Sequence, residues 1–521
     1  MNSIDLYSGI GGWTLGMKLS NINNIASYEW WHEANQTHNF NFETTHREID
    51  IRKIDVKHLS FDKNIDFVVG SPPCTQFSYA NKGGNGDISD GLVDISKFLE
   101  VVNYLKPKYW AMENVPRVAG ILEKEIEKGG ALHKFKHLVK VIKVVDSADY
   151  GVPQNRKRMI AGNFPVDLFD SYKTKITQVT LGEVLSSLSK KIITDPNYGY
   201  QINRNEVTEL ENEASLTPQE ERINRDAKTY HPIYNNMSFP DKLNRPSRTV
   251  TATCTRVSRE SIIVEAQKGF RRLTVRERGV VQGFPITYQF YGRTLNAKFK
   301  MIGNAVPPIL TYYIFQSMLE VPAKALKSPK KSQYYHTQPS FKGKESNLGL
   351  PKRKFPATRK FKFAVPNLRY GSGVRFELSN DPKVEGIPWS FKFYHGNSKN
   401  IKEVPLNSEV KKALGPILNS TKNKIFNESI EKITTTYSDY KSKKLQKLWT
   451  ASELNNDVFN FLDEVGDCVE QILEKASLEN LNSNLVTAIT QESNKKIEEN
   501  KKSILTGFYF LSTLNSKIFN K

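Results

Sequence analysis

The chain reads SIDLYSGIGGW at residues 3–13, a stretch that predicts the first unit of an α/β fold. The apolar positions before Ser8 indicate a buried strand, the glycines after it indicate a tight turn, and Trp13 opens a helix. This order is typical of a doubly wound nucleotide-binding sheet, because glycine lets the backbone approach a ligand closely. A glycine turn after a strand also occurs in unrelated folds, so the turn alone leaves the ligand open.

Later apolar runs continue the pattern and predict strands at residues 25–29, 65–70 and 109–112. Helical stretches separate these runs, as expected where crossovers join parallel strands. Ligands of such sheets bind outside the carboxyl ends of the strands. The residues that the sequence places there are Tyr7, Glu29, Cys74 and Glu113.

The composition excludes several classes of protein. A length of 521 residues favours two or three domains, and a hydrophobic content of 38% excludes a wholly disordered chain. No apolar run approaches the ~18 residues of a membrane span, and the N-terminus shows no secretion signal. Three cysteines and nine histidines form neither a disulfide framework nor a metal-ligand spacing. We therefore expect a cytoplasmic protein without a membrane segment or a metal site.

The charge is strongly basic, with a formal net charge of +20. Residues 321–375 concentrate it, because they hold 14 basic residues and a single acid, Glu345. Such a stretch suits a polyanion, most simply nucleic acid. A solvated, lysine-rich linker is the alternative interpretation.

Cys74 has a setting that the other two cysteines lack. A lone cysteine is most often a small buried hydrophobe, which is how we interpret Cys254 and Cys468. Two prolines precede Cys74, and they fix the backbone and remove amide donors. The thiol is therefore predicted to stand on a rigid loop at the end of a strand.

Six ordered motifs in the chain resemble those of the DNA (cytosine-5) methyltransferase family. They are DLYSGIGG at residues 5–12, PPCTQFS at 72–78, ENV at 113–115, QNRKR at 154–158, RPSRTV at 245–250 and GNAVPP at 303–308. The resemblance covers residues 1–320 and leaves the remainder unassigned. The family usually places glutamine directly after the cysteine, where this chain has Thr75 and then Gln76.

The resemblance implies a covalent route to methylation of cytosine at carbon 5. Cys74 would add to carbon 6 as a thiolate, which makes carbon 5 nucleophilic. Glu113 would neutralise ring nitrogen 3, while Arg156 and Arg158 would stabilise the thiolate and hold the carbonyl oxygen. The structural alternatives are a helix cap or surface acid for Glu113 and a solvated pair for the two arginines.

The methyl donor implied by the resemblance is S-adenosylmethionine. The residues assigned to it are Tyr7, Gly9, Gly11, Glu29, Trp30, Asp50, Ile51, Asn304 and Val306. Glu29 would bind the ribose hydroxyls and Trp30 would stack on the base, with Asp50 and Ile51 at the adenine amino group. Ordinary core packing is the alternative for Trp30.

The expected fold is α/β, with a doubly wound, Rossmann-like class I methyltransferase domain, a small recognition region and an additional C-terminal α+β domain. The predicted segments are a catalytic domain at residues 1–189 and 245–320, a target-recognition region at 190–244, a basic DNA-contacting linker at 321–375, and a mostly helical α+β domain of open role at 376–521. The recognition interval is short for reading several base pairs, so the C-terminal part is a candidate second DNA contact.

The expected activity is transfer of a methyl group from S-adenosylmethionine to carbon 5 of a flipped-out cytosine in duplex DNA. By resemblance, the enzyme is the modification half of a restriction–modification or related defence system. Its partners are then double-stranded DNA and, functionally, a cognate restriction endonuclease. Two alternatives stay open: a cytosine-5 methyltransferase acting on tRNA, and a non-enzymatic DNA-binding protein that keeps the fold.

Overall fold

The computed structural model of the chain divides into two compact units. The described residues are 1–59, 61, 64–73, 76–77, 87–211, 213–229, 237–329, 355–371, 373–397, 400–407, 424–451, 457–475 and 495–519. The first unit is Met1–Ser215 with Pro240–Gly349, and the second is Leu216–Phe239 with Leu350–Lys521. Cys74, the predicted nucleophile, lies outside the described residues.

A six-stranded sheet forms the centre of the first unit. Its strands are β1 (Asn2–Leu6), β2 (Asn23–Tyr28), β3 (Phe67–Gly70), β4 (Tyr109–Asn114), β5 (Val141–Asp146) and β6 (Lys157–Gly162). The strand order is β2-β1-β3-β4-β6-β5. The first four strands run parallel, and β6 runs antiparallel to both of its neighbours. The carboxyl ends of β1 to β4 therefore meet at one edge, as the sequence predicts.

Helices and two short ladders complete the first unit. The helices are α1 (Gly12–Leu19), α2 (His32–Phe42), α3 (Ser89–Leu105), α4 (Val118–Glu125), α5 (Val166–Ser171), α6 (Leu181–Leu188), α8 (Val275–Val281), α9 (Leu295–Asn304) and α10 (Pro308–Met318). The ladders pair β7 (Ile192–Thr194) with β8 (Gln201–Asn203) and β9 (Ile263–Glu265) with β10 (Phe270–Arg272). The predicted strands at residues 25–29, 65–70 and 109–112 are thus confirmed as β2, β3 and β4, with bounds that differ by a few residues.

The close packing of α10 on α1 joins the two ends of the first unit's sequence. A Cβ at Gly12 would stand 2.2 Å from the carbonyl oxygen of Val306, and one at Gly16 would stand 2.3 Å from Thr311 Oγ1. The same hydroxyl donates to the Gly12 carbonyl oxygen at 2.9 Å. The ring of Trp13 meets that of Phe315 edge-on at 5.9 Å. The glycines are therefore what allow the last motif to lie on the first helix.

The second unit combines an antiparallel sheet with helices from two separate parts of the chain. Its strands, in sheet order, are β11 (Lys362–Arg369), β12 (Arg375–Asn380), β13 (Trp389–Asn397) and β14 (Asn400–Pro405). Its helices are α7 (Pro218–Thr229), α11 (Lys424–Thr436), α12 (Ser442–Thr450), α13 (Asp457–Lys475), α14 (Lys495–Glu499) and α15 (Lys501–Leu514). None of the helices within the described ranges is long and apolar enough to cross a membrane.

Helix α7 belongs to the second unit, which the sequence did not predict. Its Arg222 makes a bidentate pair with Asp463 on α13, at 2.9 and 2.7 Å, and its guanidinium lies 5.4 Å from the centre of the Phe459 ring. Asp226 accepts from Arg222 and also lies 3.7 Å from Arg369 on β11. A helix from the interval between the QNRKR and RPSRTV motifs is thus built into the C-terminal unit.

We expect Gly16→Ala to destabilise the first unit by about 1–3 kcal/mol, the usual cost of overpacking a tight core. The added Cβ would meet not only the Thr311 hydroxyl but also its carbonyl carbon, at 3.0 Å. Thermal melting of the full chain measures the effect.

Gly120→Ala on α4 is the matched control. No atom lies within 4 Å of its added Cβ, so alanine should be neutral or stabilising by up to ~1 kcal/mol. Equal melting temperatures for the two variants would contradict the packing described above.

Candidate active site

A buried ion pair between Glu113 and Arg158 stands at the carboxyl end of β4. Glu113 is the next-to-last residue of that strand and pairs in register with Ile160 on β6. Arg158 lies two residues before Ile160 and so shares a sheet face with Glu113 on a diagonal. Its Nε donates to Glu113 Oε1 at 2.9 Å, and the side chains are 13% and 6% exposed. The alternatives, in which Glu113 is an acid on the surface and Arg158 is solvated, do not fit this geometry.

Arg156 lies close by in sequence but is directed into the protein. Its Nη1 donates to the Val250 carbonyl oxygen at 2.9 Å, and its Nη2 donates to the carbonyl oxygens of Gly303 and Ala305 at 2.8 and 3.1 Å. The residue is 1% exposed. The guanidinium therefore ties the QNRKR segment to the RPSRTV and GNAVPP segments.

The described residues on either side of Cys74 are anchored to the rest of the first unit. Asn114 Nδ2, next to Glu113, donates to the Pro72 carbonyl oxygen at 3.1 Å. Beyond the cysteine, the Phe77 ring is fully buried against Gly91, and Arg117 donates to the Phe77 carbonyl oxygen at 3.3 Å. These contacts fix Pro72 and Phe77, which flank Cys74 in the sequence.

The predicted donor-binding residues Tyr7, Gly9 and Glu29 come together at the ends of β1 and β2. The Glu29 carboxylate accepts from the backbone N–H of Gly9 at 2.9 Å and of Trp31 at 2.7 Å. Burial raises the pKa of Glu29, while these N–H groups oppose the rise. Gly9 has φ +54°, and Gly11 has φ +89° with no room for a Cβ beside Phe42. The turn therefore depends on glycine at both positions.

Trp30 is 64% exposed, so it does not pack in the core. It lines an open pocket of about 510 Å³ together with Asp50 and Lys53. Asp50 caps a short 3₁₀ turn by accepting from Arg52 N at 3.1 Å, and the neighbouring Ile51 is buried. An exposed aromatic ring and a carboxylate that line the same pocket suit a flat heterocycle with an amino group.

The remaining predicted donor residues, Asn304 and Val306, lie in the last motif. Asn304 ends α9 and is exposed, whereas Val306 is buried and its carbonyl oxygen faces Gly12. The structure thus brings Val306 to the glycine turn. Within the described ranges, no group of three or more His, Cys, Asp or Glu side chains is arranged to hold a metal ion.

Residues 1–320, more than half of the chain, match the family model described as C-5 cytosine-specific DNA methylase. The chain belongs to this family. It is accordingly a DNA (cytosine-5) methyltransferase, and its curated relatives are named type II methyltransferases.

Two relatives illustrate the similarity. The type II methyltransferase M1.HphI of Haemophilus parahaemolyticus is 28% identical over 350 residues, which cover 61% of this chain and 86% of that protein. The type II methyltransferase M.FnuDI of Fusobacterium nucleatum is 26% identical over 354 residues, covering 61% and 94%.

Structurally similar proteins among solved structures include two methyltransferases. One is a DNA modification methyltransferase encoded within an Escherichia coli prophage, with a TM-score of 0.46, 22% identity, and coverage of 62% of this chain and 99% of that one. The other is the methyltransferase EhMeth of Entamoeba histolytica, with a TM-score of 0.44, 17% identity, and coverage of 61% and 98%.

Sequence reasoning missed two groups of residues around this methyltransferase site. The ENV motif gives no separate role to Asn114, although its side-chain amide donates to the Pro72 carbonyl oxygen. Arg52 was not singled out, although it pairs with Asp90 and Asp94 on α3 at 2.6 Å each. The i, i+4 spacing of two carboxylates on a predicted helix was the available signal for the second group.

A buried polar network lies beneath the glycine turn of the methyltransferase. Asp5 is fully buried and accepts from Thr14 Oγ1 at 2.8 Å, and that hydroxyl lies 3.0 Å from His38 Nε2. Burial raises the pKa of Asp5 from 3.8 to about 8 and lowers the pKa of His38 to about 3. Both groups are therefore favoured in their neutral forms.

We expect Asp5→Asn to stabilise the protein increasingly as pH rises from about 4 to about 8. An aspartate whose pKa is higher in the folded than in the unfolded state costs stability once the pH passes the unfolded value, and the cost levels off above the folded value. Asparagine carries no such titration. The measurement is the melting-temperature difference between variant and wild type at pH 5 and pH 8.

The control is Asp167→Asn, which removes an exposed carboxylate on α5 that lies outside this buried network. A constant difference for Asp5→Asn over this range would show that Asp5 is ionised in the folded protein.

Proposed function

We propose that the chain transfers a methyl group from S-adenosylmethionine to carbon 5 of a flipped-out cytosine in duplex DNA. The covalent intermediate of this route is an adduct between Cys74 and the cytosine. The observation that carries the proposal is the buried Glu113–Arg158 pair at the end of β4, where the next residue, Asn114, bonds Pro72, two positions before Cys74 in the sequence. The family assignment supplies the reaction class.

The Cys74 thiolate is proposed to attack carbon 6 of the cytosine and form a C–S bond. The electron pair of the 5,6 double bond then makes carbon 5 nucleophilic, which an unmodified cytosine is not. After carbon 5 has been methylated, it loses its proton to a base and the C–S bond breaks, which restores the ring and the thiolate. The protein must hold the base outside the duplex stack throughout, at a cost of a few kcal/mol.

Glu113 and Arg158 are proposed to stabilise charge on the ring. Attack at carbon 6 builds negative charge at nitrogen 3 and the carbonyl oxygen, so a proton donor and a cation are needed at those atoms. The ion pair orients the Glu113 carboxyl group for its role at ring nitrogen 3. Arg158 supplies the positive charge for the carbonyl oxygen. Arg156 was predicted to share this work, but its three bonds to backbone carbonyls favour a positioning role instead.

The residues at the ends of β1 and β2 fit S-adenosylmethionine, which supplies an electrophilic methyl group when bound. No atom lies within 4 Å of the place that a Cβ at Gly9 would take, so the backbone there is open to the close approach of a ligand. Glu29 keeps acceptor capacity for ribose hydroxyls because each of its oxygens has further lone pairs. Trp30 and Asp50 offer a ring face and an acceptor to the adenine.

The biological role proposed is that of the modification enzyme in a restriction–modification system, since named relatives are type II methyltransferases. A cognate endonuclease would then be a functional partner. Labelled methyl transfer to duplex DNA and to tRNA tests the proposed substrate, since transfer to tRNA alone, or to neither nucleic acid, would contradict the proposal.

We expect Cys74→Ser to abolish methyl transfer while changing affinity for S-adenosylhomocysteine by less than about twofold, because the donor residues belong to other strand ends. The wild-type chain should also form a stable adduct with DNA containing 5-fluorocytosine, since fluorine cannot leave carbon 5 as a proton does. Denaturing gels of the adduct and tritium transfer give the two readouts.

Cys254→Ser is the matched control, because Cys254 is a buried free thiol whose Sγ lies 3.1 Å from Ser261 Oγ. It should retain both activity and adduct. If Cys254→Ser lost the adduct and Cys74→Ser kept it, the nucleophile would be Cys254 and the assignment of Cys74 would be wrong.

The second unit is proposed to contact DNA as well. On α12 the side chains of Lys443 and Lys447 are exposed while Trp449 is buried, and the third exposed lysine, Lys444, pairs with Asp439 just before the helix. Trp449 Nε1 donates to the Lys360 carbonyl oxygen at 3.2 Å, which fixes the helix against the start of the sheet. A fixed helix with one cationic face suits a phosphate backbone.

We expect the double variant Lys443→Gln/Lys447→Gln to weaken DNA binding and to reduce the slope of log affinity against log salt. The reduction should be about 1.8 if both lysines neutralise phosphates. Fluorescence anisotropy with duplex DNA over a salt series measures the slope.

Lys424→Gln on α11 is the control, because Lys424 is exposed and pairs only weakly, at 3.7 Å, with Glu428. An unchanged slope in the α12 variant would remove this helix from the DNA interface.

A further inference from the structure

Arg52 lies at the centre of a network that runs from the predicted donor pocket to helix α3. It belongs to the 3₁₀ turn Ile51–Lys53 that follows Asp50. Its Nε and Nη2 donate to the two carboxylate oxygens of Asp94 at 2.7 and 2.6 Å, and its Nη1 donates to Asp90 Oδ1 at 2.6 Å. A fork that binds two carboxylates at once fixes the guanidinium plane.

One arm of the network ends at the donor side. Tyr7, one of the residues assigned to the methyl donor, donates its hydroxyl to Asp94 Oδ1 at 3.2 Å. Its backbone has φ +57°, in the left-handed region that non-glycine residues seldom adopt. Burial and the Asp94 carboxylate raise the pKa of Tyr7, so the hydroxyl keeps its proton. Asp94 therefore helps to hold a strained residue of the pocket in place.

The other arm ends at the segment that follows Cys74. Asp90 Oδ2 accepts from Gln76 Nε2 at 3.2 Å, and Gln76 Oε1 accepts from the backbone N–H of Gly91 at 2.8 Å. Arg52 holds the pKa of Asp90 below its usual range, which keeps the carboxylate ionised for both partners. Gln76 stands one position later than the family's usual glutamine, and here it fastens the loop to α3.

We propose that Arg52, with Asp90 and Asp94, couples occupancy of the methyl-donor pocket to the placement of the segment after Cys74. The inference rests on the proposed function. A donor molecule that settles Tyr7 and the Asp50 turn favours one arrangement of Arg52, and the same arrangement holds Asp90 against Gln76. Binding of DNA at the Cys74 loop then favours donor binding by the same factor, because coupling between sites is reciprocal.

The arrangement also has a purely structural interpretation, in which the pairs only attach α3 to the turn. The two interpretations differ in what Asp90 does. Asp94 is almost fully buried, at 3% side-chain exposure, so its pair with Arg52 contributes to folding. Asp90 is 57% exposed and contributes little to stability, yet its carboxylate accepts from both Arg52 and Gln76.

The test is the affinity of the full chain for S-adenosylhomocysteine, measured by calorimetry with and without a duplex that the wild-type chain methylates. The ratio of the two dissociation constants is the coupling factor. We expect a wild-type factor of about 5 or more, within the usual range for coupled sites. Asp90→Ala should lower it about two- to fivefold, the range that one partly exposed ion pair supports. Affinity without DNA should stay within about twofold of wild type.

Two further variants sharpen the test. Arg52→Lys keeps the charge but loses the two-carboxylate fork, so it should lower the coupling factor as Asp90→Ala does. Glu100→Ala is the control, since Glu100 is a carboxylate on the same helix with an exposed pair to Lys97, outside the network. It should leave the factor unchanged.

The outcomes separate this inference from the proposed function. If the wild-type chain methylates DNA and shows coupling but Asp90→Ala keeps the full factor, the network is structural and the inference is overturned. If the wild-type chain neither binds S-adenosylhomocysteine nor transfers methyl groups, the proposed function fails and the coupling falls with it.

Discussion

The buried guanidinium of Arg156 holds the methyltransferase unit together at the point where three stretches of sequence meet. Removing a cation from water is costly, and hydrogen bonds to strong acceptors offset part of that cost. The carbonyl oxygens of Val250, Gly303 and Ala305 accept such bonds from its terminal nitrogens, Nη1 and Nη2. The position of a carbonyl oxygen depends on the backbone and not on the type of side chain. The bonds from Arg156 therefore help to fix the backbone of residues 245–250 and 303–308 relative to β6. A lysine there would leave carbonyls without donors.

The parallel arrangement of β1 to β4 brings side chains from separate strands to the same edge of the sheet. Tyr7 and Glu29 follow β1 and β2, and Glu113 ends β4, so three residues distant in sequence lie along one sheet edge. The antiparallel β6 then brings Arg158 to Glu113 from the opposite direction, which a wholly parallel sheet would not do. The reversal of one strand therefore places a cation beside the acid at the end of β4.

Sequence patterns predicted this edge well because they report local backbone demands. The tight turn after β1 needs glycine at residue 11, and the carboxylate of Glu29 follows the next strand at the spacing typical of nucleotide-binding sheets. Both features can be recognised in the sequence alone. The different roles of Arg156 and Arg158 could not be separated in the same way, because both precede or enter one strand and only the tertiary partners distinguish them. Arg52 was missed for a related reason, since its carboxylate partners lie 38 and 42 residues further along the chain.

The second unit shows the limit of segment-by-segment reading most clearly. Arg222 and Asp463 are 241 residues apart, and no periodicity links them, yet their bidentate pair helps to fix α7 on α13. The chain enters this unit at Leu216, leaves it at Phe239 and returns at Leu350. Removing everything after residue 320 would therefore remove Asp463, which forms the bidentate pair with Arg222 on α7. Such a truncation would disturb the interval between the QNRKR and RPSRTV motifs as well as the tail. Substitutions on the exposed face of α12, which leave the buried pairs intact, are for this physical reason the cleaner probe of what the C-terminal part contributes.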